Sequence, residues 1–177
     1  MNITPIDDDS RLYVSSAIDD WSVLQELAIS VVVDLEGAVD DGVPARPGGI
    51  LYVYFPFSDA EMPDVDVLDA SADFVTRLLH AGFRVLVHCG LGLNRSPLLA
   101  GLVLHRMGWA GSDAVERLRE RRPGALYNEA YCDYLMKLGT ATAKKRVVTA
   151  AKKVSSPSPT PRRPPKKTPS SRSARRA

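Results

Sequence analysis

The sequence predicts one α/β domain with a central, mostly parallel sheet of four or five strands and helices on both faces, followed by a basic tail. Two observations support this prediction, one for the fold class and one for the tail. Short apolar, often β-branched runs that suit buried strands alternate with amphipathic segments that suit helices. The charge of the chain also changes sign abruptly near residue 140.

The strands and helices can be placed from the apolar pattern and from glycine and proline signals. The expected strands are Leu12–Val14, Ile29–Leu35, Ile50–Phe55 and Phe83–His88. The expected helices are Trp21–Leu27, Val65–His80, Pro97–Met107, Asp113–Arg121 and Asn128–Leu138. Gly82 is expected to end the second helix, and Ser112 to cap the fourth. Because helices separate the strands, the sheet is expected to be largely parallel.

The division of charge sets the domain boundary. Residues 1–140 contain 11 Lys and Arg against 21 Asp and Glu, a formal charge of −10. Residues 141–177 contain 12 Lys and Arg and no acidic residue, a formal charge of +12. The tail is rich in Pro, Ser, Lys and Arg, and past Ser155 it has no large apolar residue that could offset the entropy of ordering it. We therefore expect a folded body over 1–140 and a mostly disordered tail over 141–177.

Composition also bears on location and cofactors. No apolar run approaches the roughly 20 residues of a membrane span, and the N-terminus lacks the pattern of a signal peptide. Two cysteines do not form a disulfide framework, which suits a reducing compartment. A cytoplasmic protein is expected; the basic tail would also be compatible with a nuclear location in a eukaryote. No metal or organic cofactor is expected, because His88 and Cys89 have no second spaced pair of ligands to complete a zinc site.

The most informative segment is residues 84–97, RVLVHCGLGLNRSP. A buried strand ends at His88, Cys89 follows directly, and a glycine-containing loop leads to Arg95 and a helix start. Such a loop at a helix N-terminus can turn successive backbone N–H groups around an anion, and the helix dipole adds to their effect. This arrangement predicts a phosphate-binding loop.

The residue types in this loop suit phosphoryl transfer. A cysteine thiolate is a strong nucleophile, and amide donors and a nearby arginine favour the anion. A five-residue loop can return Arg95 beside Cys89, where its planar guanidinium could bind two phosphate oxygens. Charge spreads over three equatorial oxygens during the transfer, so loop amides and Arg95 are the stabilisers that the reaction requires.

The segment HCGLGLNRS matches the His-Cys-x5-Arg-Ser/Thr signature of protein tyrosine phosphatases. Over about residues 10–138 the chain resembles the dual-specificity branch of that superfamily, including an opening RLYVSSAIDDW, a YFPFSDAEMPD loop and a downstream RRPGALYNEAYCDYLMKL. The resemblance implies a phosphatase that hydrolyses phosphotyrosine, and also phosphoserine or phosphothreonine, in a phosphorylated protein through a phosphocysteine.

The resemblance also implies roles for individual residues. Cys89 would be the nucleophile, Arg95 would bind phosphate, and Ser96 would offer a hydroxyl to the sulfur. His88 would orient Cys89, and Asp59 would protonate the leaving oxygen and then activate water. The remaining phosphate-binding positions would be the loop residues Gly90, Leu91, Gly92, Leu93 and Asn94.

Alternatives remain open at this point. Glu61, Asp64 and Asp66 compete with Asp59 for the role of general acid. The run Gly92-Leu93-Asn94-Arg95 and the basic tail also resemble features of RNA 5′-triphosphatases, so an RNA 5′-phosphatase is a second hypothesis. A catalytically inactive phosphate-binding module is a third. The basic tail is either a solvated segment or a candidate binding segment for nucleic acid or another acidic partner.

Overall fold

The computed structural model describes residues 2–44 and 49–139. In these ranges the strands are β1 Thr4–Pro5, β2 Leu12–Ser15, β3 Val31–Asp34, β4 Leu51–Tyr54 and β5 Val85–His88. The helices are α1 Ser22–Glu26, α2 Val65–His80, α3 Arg95–Arg106, α4 Gly111–Arg121 and α5 Glu129–Met136. The predicted basic tail, 141–177, lies outside the described residues.

The strands form one sheet in the order β1-β2-β5-β3-β4, in which β1 runs antiparallel and the other pairs are parallel. Strand β5 lies between β2 and β3, and its last residue, His88, pairs in register with Ser15 on one side and Asp34 on the other. The carboxyl ends of these three strands therefore meet at one edge. The predicted α/β fold with a five-stranded, mostly parallel sheet is confirmed.

Side chains from alternate strand positions pack into two separate apolar cores, one on each face of the sheet. On one face Val32 and Leu86 pack with Leu24 of α1. On the other face the neighbouring positions Val31 and Val87 join the buried side chains of α2 to α5. This alternation follows from the two-residue period of a strand, and it places helices on both faces of the sheet as predicted.

Two helices start two residues earlier than the sequence predicts. Helix α3 begins at Arg95, so Pro97 occupies its third position and not its first. Helix α4 begins at Gly111, so Ser112 lies inside the helix and does not cap it. A Cβ atom at Gly111 would collide with the carbonyl oxygen of Leu135, so close packing against α5 fixes this helix start.

The end of α2 agrees with the sequence prediction. Gly82 follows the helix with φ of +90°, a conformation that glycine adopts without strain. Within the described ranges, no helix combines the length and the apolar character needed to cross a membrane.

Candidate active site

The loop between β5 and α3 curls around the sulfur of Cys89. Gly92, at φ +69°, turns its backbone N–H toward this sulfur, with N and Sγ 3.3 Å apart. A Cβ atom at Gly92 would collide with the carbonyl oxygen of Ser15, and one at Gly90 would collide with the carboxylate of Glu36. The close backbone approach and the positive φ therefore require glycine at position 92, whereas a side chain at position 90 would displace the Glu36 carboxylate.

The candidate nucleophile, Cys89, is buried, and its sulfur lies within hydrogen-bond distance of two donors. Cys89 is only 2% exposed, and the Ser96 hydroxyl lies 3.3 Å from Sγ. Together with the Gly92 N–H, this hydroxyl can donate to a sulfur anion. The helix N-terminus at Arg95 adds the positive end of its dipole. Cys89 Sγ therefore has two hydrogen-bond donors within reach at the start of a helix.

The loop brings Arg95 back beside Cys89, and three acceptors hold its guanidinium in position. Its Nη1 donates to the carbonyl oxygens of Leu35 at 2.9 Å and Phe57 at 3.2 Å, and its Nη2 pairs with Glu36 Oε2 at 2.8 Å. Burial lowers the pKa of Arg95, but the charge of Cys89 and the bond to Glu36 more than offset it, so the pKa stays above its usual value. Its Nε is buried and has no hydrogen-bond partner among residues 2–44 and 49–139, and so can receive a phosphate oxygen.

Asp59 lies beside this loop because two asparagines connect them. Asn94 Nδ2 donates to Asp59 Oδ2 at 3.1 Å, and Asn128 Nδ2 donates to the Asp59 carbonyl oxygen at 2.8 Å. Asn94 Oδ1 in turn accepts from the Asn128 backbone N–H at 2.9 Å. Tyr131 of α5 fixes the same loop by donating to the carbonyl oxygen of Ser58. The structure brings Asp59 to the phosphate loop with its Oδ1 unpaired among the described residues.

The other acid candidates are placed differently. Asp64 caps α2, because its Oδ1 accepts from the backbone N–H groups of Asp66 and Val67. Glu61 and Asp66 are exposed. Of the four carboxylates considered, Asp59 is the one that hydrogen-bonds to the phosphate loop.

His88 is completely buried and faces two carboxylates. Its Nε2 lies 2.9 Å from Asp40 Oδ2 and 3.6 Å from Asp34 Oδ1. Burial lowers the pKa of His88 despite the negative charge of Asp34. Burial and the charge of Asp34 raise the pKa of Asp40 to about 6. Tyr52 completes the group, because its hydroxyl donates to Asp34 Oδ2.

Two residues that support the site were missed in the sequence. Glu36 anchors Arg95, as described above. Arg122, 7% exposed, donates to the outward carbonyl oxygens of Gly92 at 2.5 Å and Leu91 at 3.1 Å, so the amides of the loop are left to face inward. The only sequence signal for Arg122 is its place in the RRPGALY segment. Because Arg119 and Arg121 lie close to it in the chain, the sequence does not show which arginine contacts the loop.

The remaining loop residues divide into an outer and an inner set. Leu91 is 65% exposed and projects away from the loop. The carbonyl oxygen of Leu93 accepts from the Leu126 backbone N–H, which fastens the loop to the segment before α5. Asn94 is 2% exposed, and its side chain makes hydrogen bonds to Asp59 and Asn128.

Residues 12–141 match the catalytic domain of the dual specificity phosphatases. The chain belongs to the dual-specificity phosphatase family. It is 33% identical over 120 residues to protein tyrosine phosphatase type IVA 2 of Mus musculus, covering 64% of this chain and 69% of that protein. It is 33% identical over 129 residues to protein tyrosine phosphatase type IVA 3 of Bos taurus, covering 70% of each chain.

Solved structures of the family share the fold. The chain superposes on human DUSP28 with a TM-score of 0.65 at 21% identity, covering 76% of this chain and 90% of that one. It superposes on DUSP15 with a TM-score of 0.66 at 22% identity, covering 81% and 90%. Family membership and the names of these relatives support a protein phosphatase, as the resemblance implied.

Proposed function

We propose that this protein hydrolyses phosphotyrosine in phosphoproteins, and also phosphoserine or phosphothreonine, through a phosphocysteine at Cys89. The observation that carries this proposal is the convergence of three groups on one loop. The sulfur of Cys89 lies 3.3 Å from the Gly92 nitrogen and 3.3 Å from the Ser96 hydroxyl, Arg95 Nε has no partner among the described residues, and Asp59 is joined to the loop through Asn94. Family membership supports the same reaction class.

In the first step the Cys89 thiolate attacks phosphorus, and the bond between phosphorus and the tyrosyl oxygen breaks. Asp59 enters this step protonated and gives its proton to the departing oxygen. Arg95 and the backbone N–H groups of residues 90–94 bind the three equatorial oxygens, whose charge they stabilise in the transition state. The products of this step are the dephosphorylated protein and a phosphocysteine.

In the second step water attacks the phosphocysteine. Asp59, now ionised, takes a proton from the water, and the sulfur leaves as a thiolate while inorganic phosphate is released. Ser96, 3.3 Å from Sγ, donates its hydroxyl proton as a hydrogen bond to the leaving sulfur. His88 stays at the base of the loop and holds the strand end that carries Cys89.

The RNA 5′-phosphatase hypothesis gains no support. The relatives described above are protein phosphatases by name. The motif that suggested RNA includes Asn94, which is buried and bound to Asp59 and Asn128, so its presence is explained by the acid loop. We propose that residues 1–140 form the catalytic unit and that 141–177 contacts acidic partners; the cytoplasmic location stays a prediction.

The proposal is tested by a side-by-side assay on a phosphotyrosine peptide, a phosphothreonine peptide and a 5′-triphosphate RNA. We expect the highest kcat/KM on the phosphotyrosine peptide, and no turnover by Cys89→Ser on any substrate, because a hydroxyl without an adjacent base is a poor nucleophile. Turnover of RNA above both peptides would contradict the substrate proposal. Binding of peptide without turnover would identify an inactive phosphate-binding module.

A further inference from the structure

Below the phosphate loop, three side chains from separate parts of the chain converge at one buried point. Asp34 ends strand β3, His88 ends strand β5, and Asp40 lies in the connection between β3 and β4. One ligand atom from each lies within 4.8 Å of the others. The side chains of Asp34 and His88 are fully buried, and that of Asp40 is 7% exposed.

The His88 ring lies close to both carboxylates without a hydrogen bond to either. Its Nε2 is 2.9 Å from Asp40 Oδ2 and 3.6 Å from Asp34 Oδ1. Even so, neither ring nitrogen makes a directed hydrogen bond to any of residues 2–44 and 49–139. Close polar atoms without hydrogen-bond alignment leave the His88 Nε2 lone pair available to a metal ion that the carboxylates also bind.

The spacing suits a tetrahedral ion. With bonds of about 2.1 Å to nitrogen and oxygen, ligand atoms around tetrahedral zinc lie about 3.4 Å apart. The two distances from His88 Nε2 lie on either side of that separation. Zinc accepts imidazole nitrogen and carboxylate oxygen together, whereas magnesium and calcium prefer oxygen ligands alone.

The charge balance also calls for a cation. Two carboxylates are buried together, and no lysine or arginine of the described ranges pairs with either of them. Their donors are the Glu36 backbone N–H to Asp34 and the Tyr52 hydroxyl, which bring no positive charge. Buried carboxylates without a counter-charge are costly, and a divalent ion would neutralise both.

We propose that Asp34, Asp40 and His88 form a binding site for one zinc ion, with water as the fourth ligand. The ion would enter through the segment that carries Asp40, whose neighbours Val39 and Asp41 are exposed. A bound ion would join the connection after β3 to the end of β5, one residue before Cys89. The proposal does not depend on the phosphatase mechanism, because zinc binding can be measured in the Cys89→Ser protein, which lacks the nucleophile.

The test uses full-length Cys89→Ser protein, so that zinc cannot bind the catalytic thiolate, dialysed against a chelator and titrated with Zn²⁺ by calorimetry. We expect one ion per chain and a higher Tm with zinc. Co²⁺ should give the strong absorption of a tetrahedral site without a thiolate charge-transfer band. Asp40→Asn should weaken zinc binding at least about 10- to 100-fold, the loss seen when even outer-shell partners are removed. Asp41→Asn, a matched change at the adjacent exposed carboxylate, should leave the affinity unchanged.

A second measurement keeps the test independent of how Asp40→Asn folds. The chain has three histidines, His80, His88 and His105. In NMR spectra of the Cys89→Ser protein, zinc should shift the ring nitrogens of His88 and leave those of the other two in place. Absence of zinc binding would overturn the proposal and leave the cluster as a proton-sharing network. So would equal affinity in Asp40→Asn and its parent, or zinc binding that leaves the His88 ring unaffected.

Discussion

Asn94→Ala tests whether the acid loop is positioned by the phosphate loop. The substitution removes the 3.1 Å hydrogen bond to Asp59 and the acceptor for the Asn128 N–H. Asp59 is protonated in the step that it assists, and a hydrogen bond between neutral groups contributes about 0.5–1.5 kcal/mol. The loss should be smaller than the roughly 10²–10⁴-fold that general acid catalysis supplies, because the acid is misplaced but still present. The bond energy corresponds to roughly a 2- to 10-fold change in rate. We expect kcat/KM on a phosphotyrosine peptide to fall by this factor.

The choice of substrate separates positioning from damage to the fold. Tyrosine has a pKa of about 10, so its oxygen needs a proton to leave at neutral pH. An activated aryl phosphate has a leaving group that departs without one. Asn94→Ala should therefore lose much less on the activated substrate, assayed well below the Tm of the variant. Equal losses on both substrates would mean that Asn94 supports the loop as a whole.

A double-mutant cycle sharpens the result. Asp59→Asn removes the general acid itself, so it should cost roughly 10²–10⁴-fold on phosphotyrosine. If Asn94 acts through Asp59, adding Asn94→Ala to Asp59→Asn should cause little further loss on that substrate. Full additivity of the two losses would refute the reasoning.

The remaining predictions concern Arg95, the loop carbonyls and the tail. Glu36→Ala should lower kcat/KM about 10- to 100-fold, because Arg95 loses its 2.8 Å partner and its alignment; unchanged steady-state kinetics would contradict this. Arg122→Lys should weaken inhibition by vanadate about 10-fold or more, because lysine lacks the planar guanidinium that donates to the carbonyl oxygens of Gly92 and Leu91. An unchanged inhibition constant would show that the loop keeps its shape without these two hydrogen bonds. Removing 141–177 should leave turnover of a small aryl phosphate unchanged, whereas a large loss would place the tail in the catalytic unit.

The sequence predicted what is local and missed what the sheet order brings together. The nucleophile, the glycines and Arg95 lie within one short segment, so their pattern could be recognised from residue types alone. Glu36 and Arg122 lie 59 and 27 residues from Arg95 in the chain. They reach the loop because β5 inserts between β2 and β3, and no local pattern reveals that insertion.

The acidic cluster around His88 shows the same limit. The sequence predicts Asp34 within a buried strand and Asp40 at the start of a loop, and neither position suggests a partner for a histidine more than 45 residues away. Register pairing of Asp34 with His88 across β3 and β5 creates the contact. The helix starts at Arg95 and Gly111 were misplaced for a related reason, since packing against distant backbone, and not local capping, sets the start of α4.

The central claim is covalent catalysis by Cys89, and trapping the intermediate tests it most directly. Wild-type protein is mixed with a phosphotyrosine peptide, quenched in acid within one turnover, digested and examined by mass spectrometry. The account predicts one phosphoryl group on the peptide that contains Cys89, and none on the corresponding peptide of Cys89→Ser. Turnover without a Cys89 adduct, a phosphoryl group on another residue, or activity retained in Cys89→Ser would contradict it.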